Sequence, residues 1–188
     1  TDNDAGYVVL VKSAQNDIVD GIAFFGNANR ANGALRITDA QTVTLRELNV
    51  LDFRYTGVSV RNASGVDAQS LYIENSGYEW PPNSSAQFPD GGSVGNLGVH
   101  DVRNSIFGFI NIKTTDLRGY GIKAANLSRV RFHNLDFDLH PFQSWRGPGP
   151  GNFDIEIHGG YAELVEIAHS RFRQTLSLMG GNEPRYDA

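Results

Sequence analysis

The sequence predicts an all-β fold: a single-stranded right-handed parallel β-helix of about six coils, within one domain that spans residues 1–188. Two observations predict this fold. A pattern of about 23 residues recurs along the chain, and short stretches such as "ALRI" (34–37) and "GVSV" (57–60) alternate apolar with polar or small residues. Alternation with a period of two is typical of β-strands. A repeat of this length is typical of a solenoid in which each coil stacks on the last.

The repeat becomes visible when four segments are written under one another: "DAQTVTLRELNVLD" (39–52), "NASGVDAQSLYIEN" (62–75), "DVRNSIFGFINIKT" (101–114) and "NLSRVRFHNLDFDL" (126–139). Each opens with Asp or Asn, and apolar residues follow at fixed offsets. We expect one apolar row to stack along the axis, formed by Leu48, Leu71, Ile110 and Leu135. We expect the openers to form a polar ladder at a turn, because Asn and Asp tolerate left-handed backbone. The ladder is Asp39, Asn62, Asp101 and Asn126.

Weaker copies of the segment occur near both ends of the sequence. The first is "SAQNDIVDGIAF" (13–24), in which Ala14, Ile22 and Phe24 fit the apolar rows. The second is "YAELVEIAHSRF" (161–172), which fits less well, with Ala162, Ile167 and Phe172. Two steps between openers are long, and their excess falls in residues 76–95 and 139–152. We expect these two stretches to be long loops on the same side of the coil.

This pattern of coil period, Asn/Asp ladder and apolar rows resembles the pectin-lyase-like right-handed β-helix superfamily over roughly residues 7–178. That superfamily holds polysaccharide lyases, glycoside hydrolases, epimerases, tailspikes and adhesins. The resemblance implies the fold and a carbohydrate-active, secreted or cell-surface protein, without singling out a family. A different class is also open: a structural adhesin, tailspike or filament segment, or a carbohydrate-binding module without catalysis.

Stacked coils place equivalent outward-facing residues in rows. The Lys113 row is Leu51, Glu74, Lys113 and Asp138, continued by Arg173, and the neighbouring Asn111 row is Asn49, Tyr72, Asn111, Asp136 and Arg171. Both rows precede the corner from which the two loops leave, so the loops are predicted to wall a groove. Two roles stay open for Trp80 and Trp145 on these loops: their rings stack on sugar faces, or they fold back and pin each loop onto the coil. Further binding residues predicted for this groove are Tyr72, Tyr120, Asn111, Asp136, His140 and Arg146.

Three interpretations of the Lys113 row stay open. The first is a hydrolase that uses Glu74 and Asp138 as its two carboxyls. They are two coils apart, about 9.6 Å, at the edge of the range of about 6.5–9.5 Å for an inverting glycosidase. Lys113 is the candidate base of a lyase, although two flanking carboxylates favour a charged lysine. Arg118 is a further predicted catalytic residue near the groove. The row is otherwise a surface ion-pair ladder in which each pair contributes little.

The composition of the chain limits the kinds of partner and cofactor that are expected. The formal net charge of -5 gives no electrostatic reason to expect nucleic acid, and no apolar run is long enough to span a membrane. The chain has no cysteine, so disulfides and thiolate metal sites are excluded. No cofactor is required for the predicted chemistry, and a calcium site near residues 88–96 is left open. Uncapped coil ends leave two expectations open: the chain is part of a larger protein, or it self-associates through exposed strand edges.

Overall fold

The structure of the protein is a computed structural model. It describes residues 6–26, 33–53, 56–76, 95–114, 120–139, 155–158, 161–172 and 176–179. These residues form strands and no helix. The strands are β1 (Tyr7–Lys12), β2 (Ile18–Asp20), β3 (Ala23–Phe25), β4 (Gly33–Thr38), β5 (Thr44–Leu51), β6 (Thr56–Ser64), β7 (Asp67–Glu74), β8 (Gly95–Lys113), β9 (Tyr120–Asp138), β10 (Ile155–His158), β11 (Ala162–Ala168) and β12 (Leu176–Met179). In this part of the chain, no helix is long and apolar enough to cross a membrane.

The strands form one strongly curled, all-parallel sheet with two arms. One arm runs β1–β4–β6 and continues through the first parts of β8 and β9 to β10 and β12. The other runs from β2 and β3 through β5 and β7 to the second parts of β8 and β9, and then to β11. The long strands β8 and β9 belong to both arms. The curled parallel sheet is compatible with a β-helix or another solenoid.

The predicted stacking of the four central segments is confirmed. Leu48 pairs with Leu71, Leu71 with Ile110, and Ile110 with Leu135. All four side chains are buried in the hydrophobic core. The second apolar row stacks in the same way and consists of Val50, Ile73, Ile112 and Phe137. Each repeat therefore contributes one layer to a continuous core, as expected for a repeat that cannot bury its apolar face alone.

The terminal copies follow this register with one exception. Phe24 pairs with Val50, and Ala162 pairs with Leu127, as the alignment predicts. Ile167, however, pairs with Phe132 rather than extending the Leu48 row. The position next to Leu135 is taken by Ser170, whose Oγ accepts a hydrogen bond from the Leu135 N–H at 3.2 Å. The last copy therefore replaces a core leucine by a serine that bonds the neighbouring backbone.

Left-handed residues recur at four offsets within the repeat and bend its strands. Counted from the opener, they fall at the opener itself, three residues later, eight residues later and, at Asp52 and Asn75, thirteen residues later. The first set is Ser13, Asp39, Asn62, Asp101 and Asn126, with φ between 45° and 55°. The third set is Gly21, Glu47, Ser70, Phe109, Asn134 and His169. Because left-handed backbone is uncommon outside glycine, its recurrence at fixed offsets shows that the same corners are repeated from layer to layer.

The polar ladder is confirmed and is held by side-chain hydrogen bonds. The Asn62 amide Nδ2 donates to Asp39 Oδ1 at 2.6 Å, and the Asn126 Nδ2 donates to Asp101 Oδ1 at 2.7 Å. Asn126 Oδ1 accepts a bond from the backbone N–H of Tyr161 at 3.1 Å. Asn and Asp are suited to these positions because they combine tolerance of positive φ with side-chain hydrogen bonding.

The corner at Glu47 provides a test of this backbone geometry. Glu47 is exposed and has a φ of 51°, a conformation that costs a non-glycine residue roughly 1–2 kcal/mol. We expect Glu47→Gly to raise the free energy of unfolding by about 0.5–1 kcal/mol. The relief of backbone strain in the folded state outweighs the greater freedom of glycine in the unfolded chain. The matched control is Asn49→Gly, at an exposed position of the same strand without positive φ, and it should lower that free energy. Urea denaturation measures both, and a loss of stability in both variants would contradict the assigned corner.

Candidate functional site

The structure brings the predicted site residues of the Lys113 row together. Leu51 pairs with Glu74, Glu74 with Lys113, and Lys113 with Asp138. Neighbouring strands lie about 4.8 Å apart, so Glu74 and Asp138 flank Lys113 on either side. Glu74 and Lys113 are half-buried and Asp138 is exposed. The row therefore presents two carboxylates and one ammonium group at the end of three consecutive layers.

The Asn111 row runs alongside, also in the predicted register. Asn49, Tyr72, Asn111 and Asp136 pair in succession, and Asp136 forms an isolated bridge with Arg171. The Arg171 guanidinium Nη1 lies 3.7 Å from Asp136 Oδ1. Asp136 is thus engaged with a cation of its own row, which leaves Asn111 as an exposed amide beside Lys113.

Tyr72 links the two rows by a hydrogen bond. Its hydroxyl donates to Glu74 Oε2 at 2.5 Å. Both residues lie on β7 two positions apart, and therefore on the same face of the strand. By contrast, the described residues show no ion pair between Lys113 and either flanking carboxylate, and Glu74 is held by a tyrosine instead.

The electrostatics of the site are most evident at Tyr72. The hydrogen bond to Glu74, followed by burial and by the negative charges of Glu74 and Asp138, raises the pKa of Tyr72 from 10.0 to about 12. All of these causes act in one direction, because a phenolate would lose its hydrogen bond to the carboxylate and would be repelled by both carboxylates. Tyr72 is consequently a neutral donor throughout the physiological pH range.

This pKa predicts an alkaline titration that can be observed directly. Because the folded-state pKa is raised above the unfolded value, the stabilising bond is intact below pH about 10 and is lost as pH rises through about 12. In an ultraviolet titration of phenolate absorbance, we expect Tyr72→Phe to remove one late-ionising tyrosine. Glu74→Gln should shift the ionisation of Tyr72 back towards its ordinary pKa. An unchanged titration curve for Tyr72→Phe would contradict the assignment.

Several predicted site residues lie outside the described residues. They are Trp80, Arg118, His140, Trp145, Arg146 and Arg173, together with the loops 76–95 and 139–152 beyond Ser76, Gly95 and Leu139. The predicted calcium site near 88–96 also lies almost entirely outside them. The backbone of Tyr120 is described: it begins β9 and pairs with Gly95. That position belongs to the arm of the sheet opposite the Lys113 row.

A second polar face was not predicted from the sequence. Strand β4 and the first parts of β6, β8 and β9, which follow it in the sheet, are buried on both sides. Facing away from the core are Arg36, Ser59, His100 and Lys123, each at most 5% exposed. Arg36, His100 and Lys123 all have interaction partners, as buried charges and polar groups require. The alternating pattern "ALRI" identifies one face as polar but carries no signal that this face is covered.

The described residues contain no group of three or more His, Asp or Glu side chains that could hold a metal ion.

Comparisons with protein-family models, with curated proteins and with solved structures find no match for this chain. The fold defines an all-β protein built on a curled parallel sheet. On its surface, the described site is an acidic and amide-bearing face with one central lysine.

Proposed function

We propose that the chain is a right-handed parallel β-helix of about six coils, of the pectin-lyase-like type, that binds and cleaves a polysaccharide outside the cell or at its surface. The handedness follows the general preference of parallel crossover connections. The observation that carries the function is the register of Glu74, Lys113 and Asp138 on three consecutive layers. It creates a linear array of titratable groups along the axis, which suits a linear polymer.

The chemistry of the proposed cleavage depends on which group acts as base. Tyr72 is held neutral by its raised pKa, so the candidates are Lys113 and the two carboxylates. If Glu74 and Asp138 form an acid–base pair, the separation of about 9.6 Å leaves room for a water, as in an inverting hydrolase. If Lys113 takes the proton α to a uronate carboxyl, a β-elimination follows: a C=C bond forms as the bond from the β-carbon to the glycosidic oxygen breaks. The departing sugar takes up a proton and the other product is an unsaturated uronate.

An assay on a panel of uronate and neutral polysaccharides tests the proposal. New ultraviolet absorbance from an unsaturated uronate identifies a lyase, and reducing ends without it identify a hydrolase. Lys113→Ala should abolish lyase activity. Lys12→Ala, an exposed lysine on β1 in the other arm, is the matched control and should leave the rate unchanged. Binding without either product would replace the enzyme by a non-catalytic carbohydrate-binding protein.

A structural role is the second candidate, and a specific observation favours it. Large apolar side chains are exposed on the first strands, with Phe25 75%, Ile18 63% and Val8 59% exposed, and on β11, with Leu164 52% exposed. Exposed apolar side chains and unpaired edge strands recruit partners. End-to-end association of copies would cover them.

Sedimentation at micromolar concentration should then show oligomers that Phe25→Ser together with Ile18→Ser dissociates, and a monomeric wild-type protein would remove this candidate.

A further inference from the structure

A groove of about 370 Å³ follows the polar ladder across four repeats. This size is within the range of ligand sites, about 300–1,000 Å³. Its positions in the repeat differ from those of Glu74, Lys113 and Asp138, so it is a separate surface from the proposed cleavage site. Its floor is apolar and buried, and includes Ala40, Ala63 and Val102.

Two parallel rails of polar side chains line the floor. The first rail is the ladder itself, Asp39, Asn62, Asp101 and Asn126, all exposed. The second rail stands two residues further along each repeat and consists of Gln41, Ser64, Arg103 and Ser128. Successive members of the second rail pair in register, so it too advances by one strand spacing per repeat. The groove therefore crosses the stacked strands with hydrogen-bonding groups on both sides.

The first rail alternates in charge, and its hydrogen bonds leave acceptors available. Asn62 bonds to Asp39 and Asn126 bonds to Asp101, in both cases at the Oδ1 atom of the carboxylate. Among the described residues, no hydrogen bond is made to the Oδ2 atoms of Asp39 and Asp101. A carboxylate oxygen thus recurs at every second strand, about 9.6 Å apart, on side chains whose orientation the neighbouring amide already fixes.

We propose that this groove binds a neutral, linear, β-1,4-linked glycan lying parallel to the stacking axis. Sugar hydroxyls are donors that match carboxylate, amide and hydroxyl acceptors. In a β-1,4-linked chain each residue is turned by about half a rotation from the last, so the same hydroxyl edge returns at every second sugar. The Asp–Asn alternation repeats at every second strand and presents a carboxylate to each returning edge. Two aspartates against one arginine, Arg103, disfavour an acidic glycan.

The binding is expected to be weak and specific for linkage. No aromatic ring lines the described groove, so affinity rests on hydrogen bonds rather than on stacking, with a dissociation constant on the order of 1 mM. The inference goes beyond the proposed cleavage and does not depend on it, because binding in the groove is measured without turnover.

The test compares cellohexaose with maltohexaose, which have the same composition and differ in linkage, by NMR titration of the full chain. We expect cellohexaose to bind more tightly and to shift the amide signals of the ladder residues. The double variant Asp39→Asn with Asp101→Asn should weaken its binding by about tenfold or more, since hydrogen bonds to charged groups are lost. This variant should fold, because Asn62 and Asn126 occupy equivalent corners with φ of 45° and 55°.

The matched control removes two carboxylates elsewhere. Asp20→Asn with Asp67→Asn changes the net charge equally, at residues that contact Arg46 and Gln69 respectively, and should alter the affinity by less than about twofold. The proposal is overturned if cellohexaose does not bind, if maltohexaose binds as tightly, or if both double variants lose affinity equally. Lys113→Ala separates the two sites: it should abolish lyase activity and leave binding in the groove intact.

Discussion

Replacing Leu71 by alanine is expected to lower the free energy of unfolding by about 3 kcal/mol, within the range of about 2–5 kcal/mol for buried leucines. Leu71 is 1% exposed and lies between Leu48 and Ile110 in the stacked apolar row. Its strand is hydrogen-bonded to parallel strands on both sides. The backbone therefore cannot move inward to fill the cavity, and the loss should not fall at the lower end of the range.

Urea denaturation of the purified protein measures this loss. The matched control is Leu164→Ala, because Leu164 is 52% exposed and its truncation should cost less than about 0.5 kcal/mol. Comparable losses in the two variants would contradict the assignment of Leu71 to the interior. A loss at Leu71 without a change in the denaturant dependence would indicate that the unfolded state is unaffected.

The largest expected effect on activity is at Glu74. If the proposed cleavage uses this carboxylate, Glu74→Gln should lower kcat/KM by about 10²–10⁴-fold, the usual contribution of a positioned acid or base. Glutamine keeps the shape of the side chain and an oxygen that can accept the hydrogen bond from Tyr72. The variant therefore removes the charge and the proton-transfer capacity while retaining the local contact.

Two further variants serve as controls for the effect of Glu74→Gln. Glu47→Gln changes an exposed glutamate of the neighbouring strand β5 and should leave kcat/KM within about twofold of the original. Tyr72→Phe should change the rate much less than Glu74→Gln if the tyrosine only orients the carboxylate. Full activity of Glu74→Gln would exclude Glu74 as acid or base, and the proposal would then depend on Lys113 alone.

The register of the central layers could be predicted from the sequence because the same residue types recur at the same offsets. Leu48, Leu71, Ile110 and Leu135 each stand nine residues after an Asp or Asn, and a packed core requires these positions to coincide. The rows that carry Glu74, Lys113 and Asp138 follow from this alignment. Their predicted adjacency is therefore confirmed, whereas the chemistry predicted for them stays a prediction.

Other features of the structure could not be predicted, because no residue type marks them in the sequence. The corner eight residues after the opener is occupied in three copies by Glu47, Ser70 and Phe109. These residue types do not favour positive φ, so in these copies the stack and not local propensity sets the backbone. Ile167 was misplaced because an apolar residue was expected where the chain uses Ser170. The covered face with Arg36 and Lys123 depends on contacts across the fold, which periodicity along one strand cannot report.

The parallel register has a consequence for the evolution and engineering of this chain. Pairing partners are 23 residues apart between Asp39 and Asn62 and 39 apart between Asn62 and Asp101, yet both steps close into adjacent layers. The entropy of loop closure grows only with the logarithm of length, so the longer step costs about 0.5 kcal/mol more. Insertions of this size at the ends of β7 and β9 are thermodynamically inexpensive. New recognition sequences can therefore be exchanged there while the layers beneath keep their pairing.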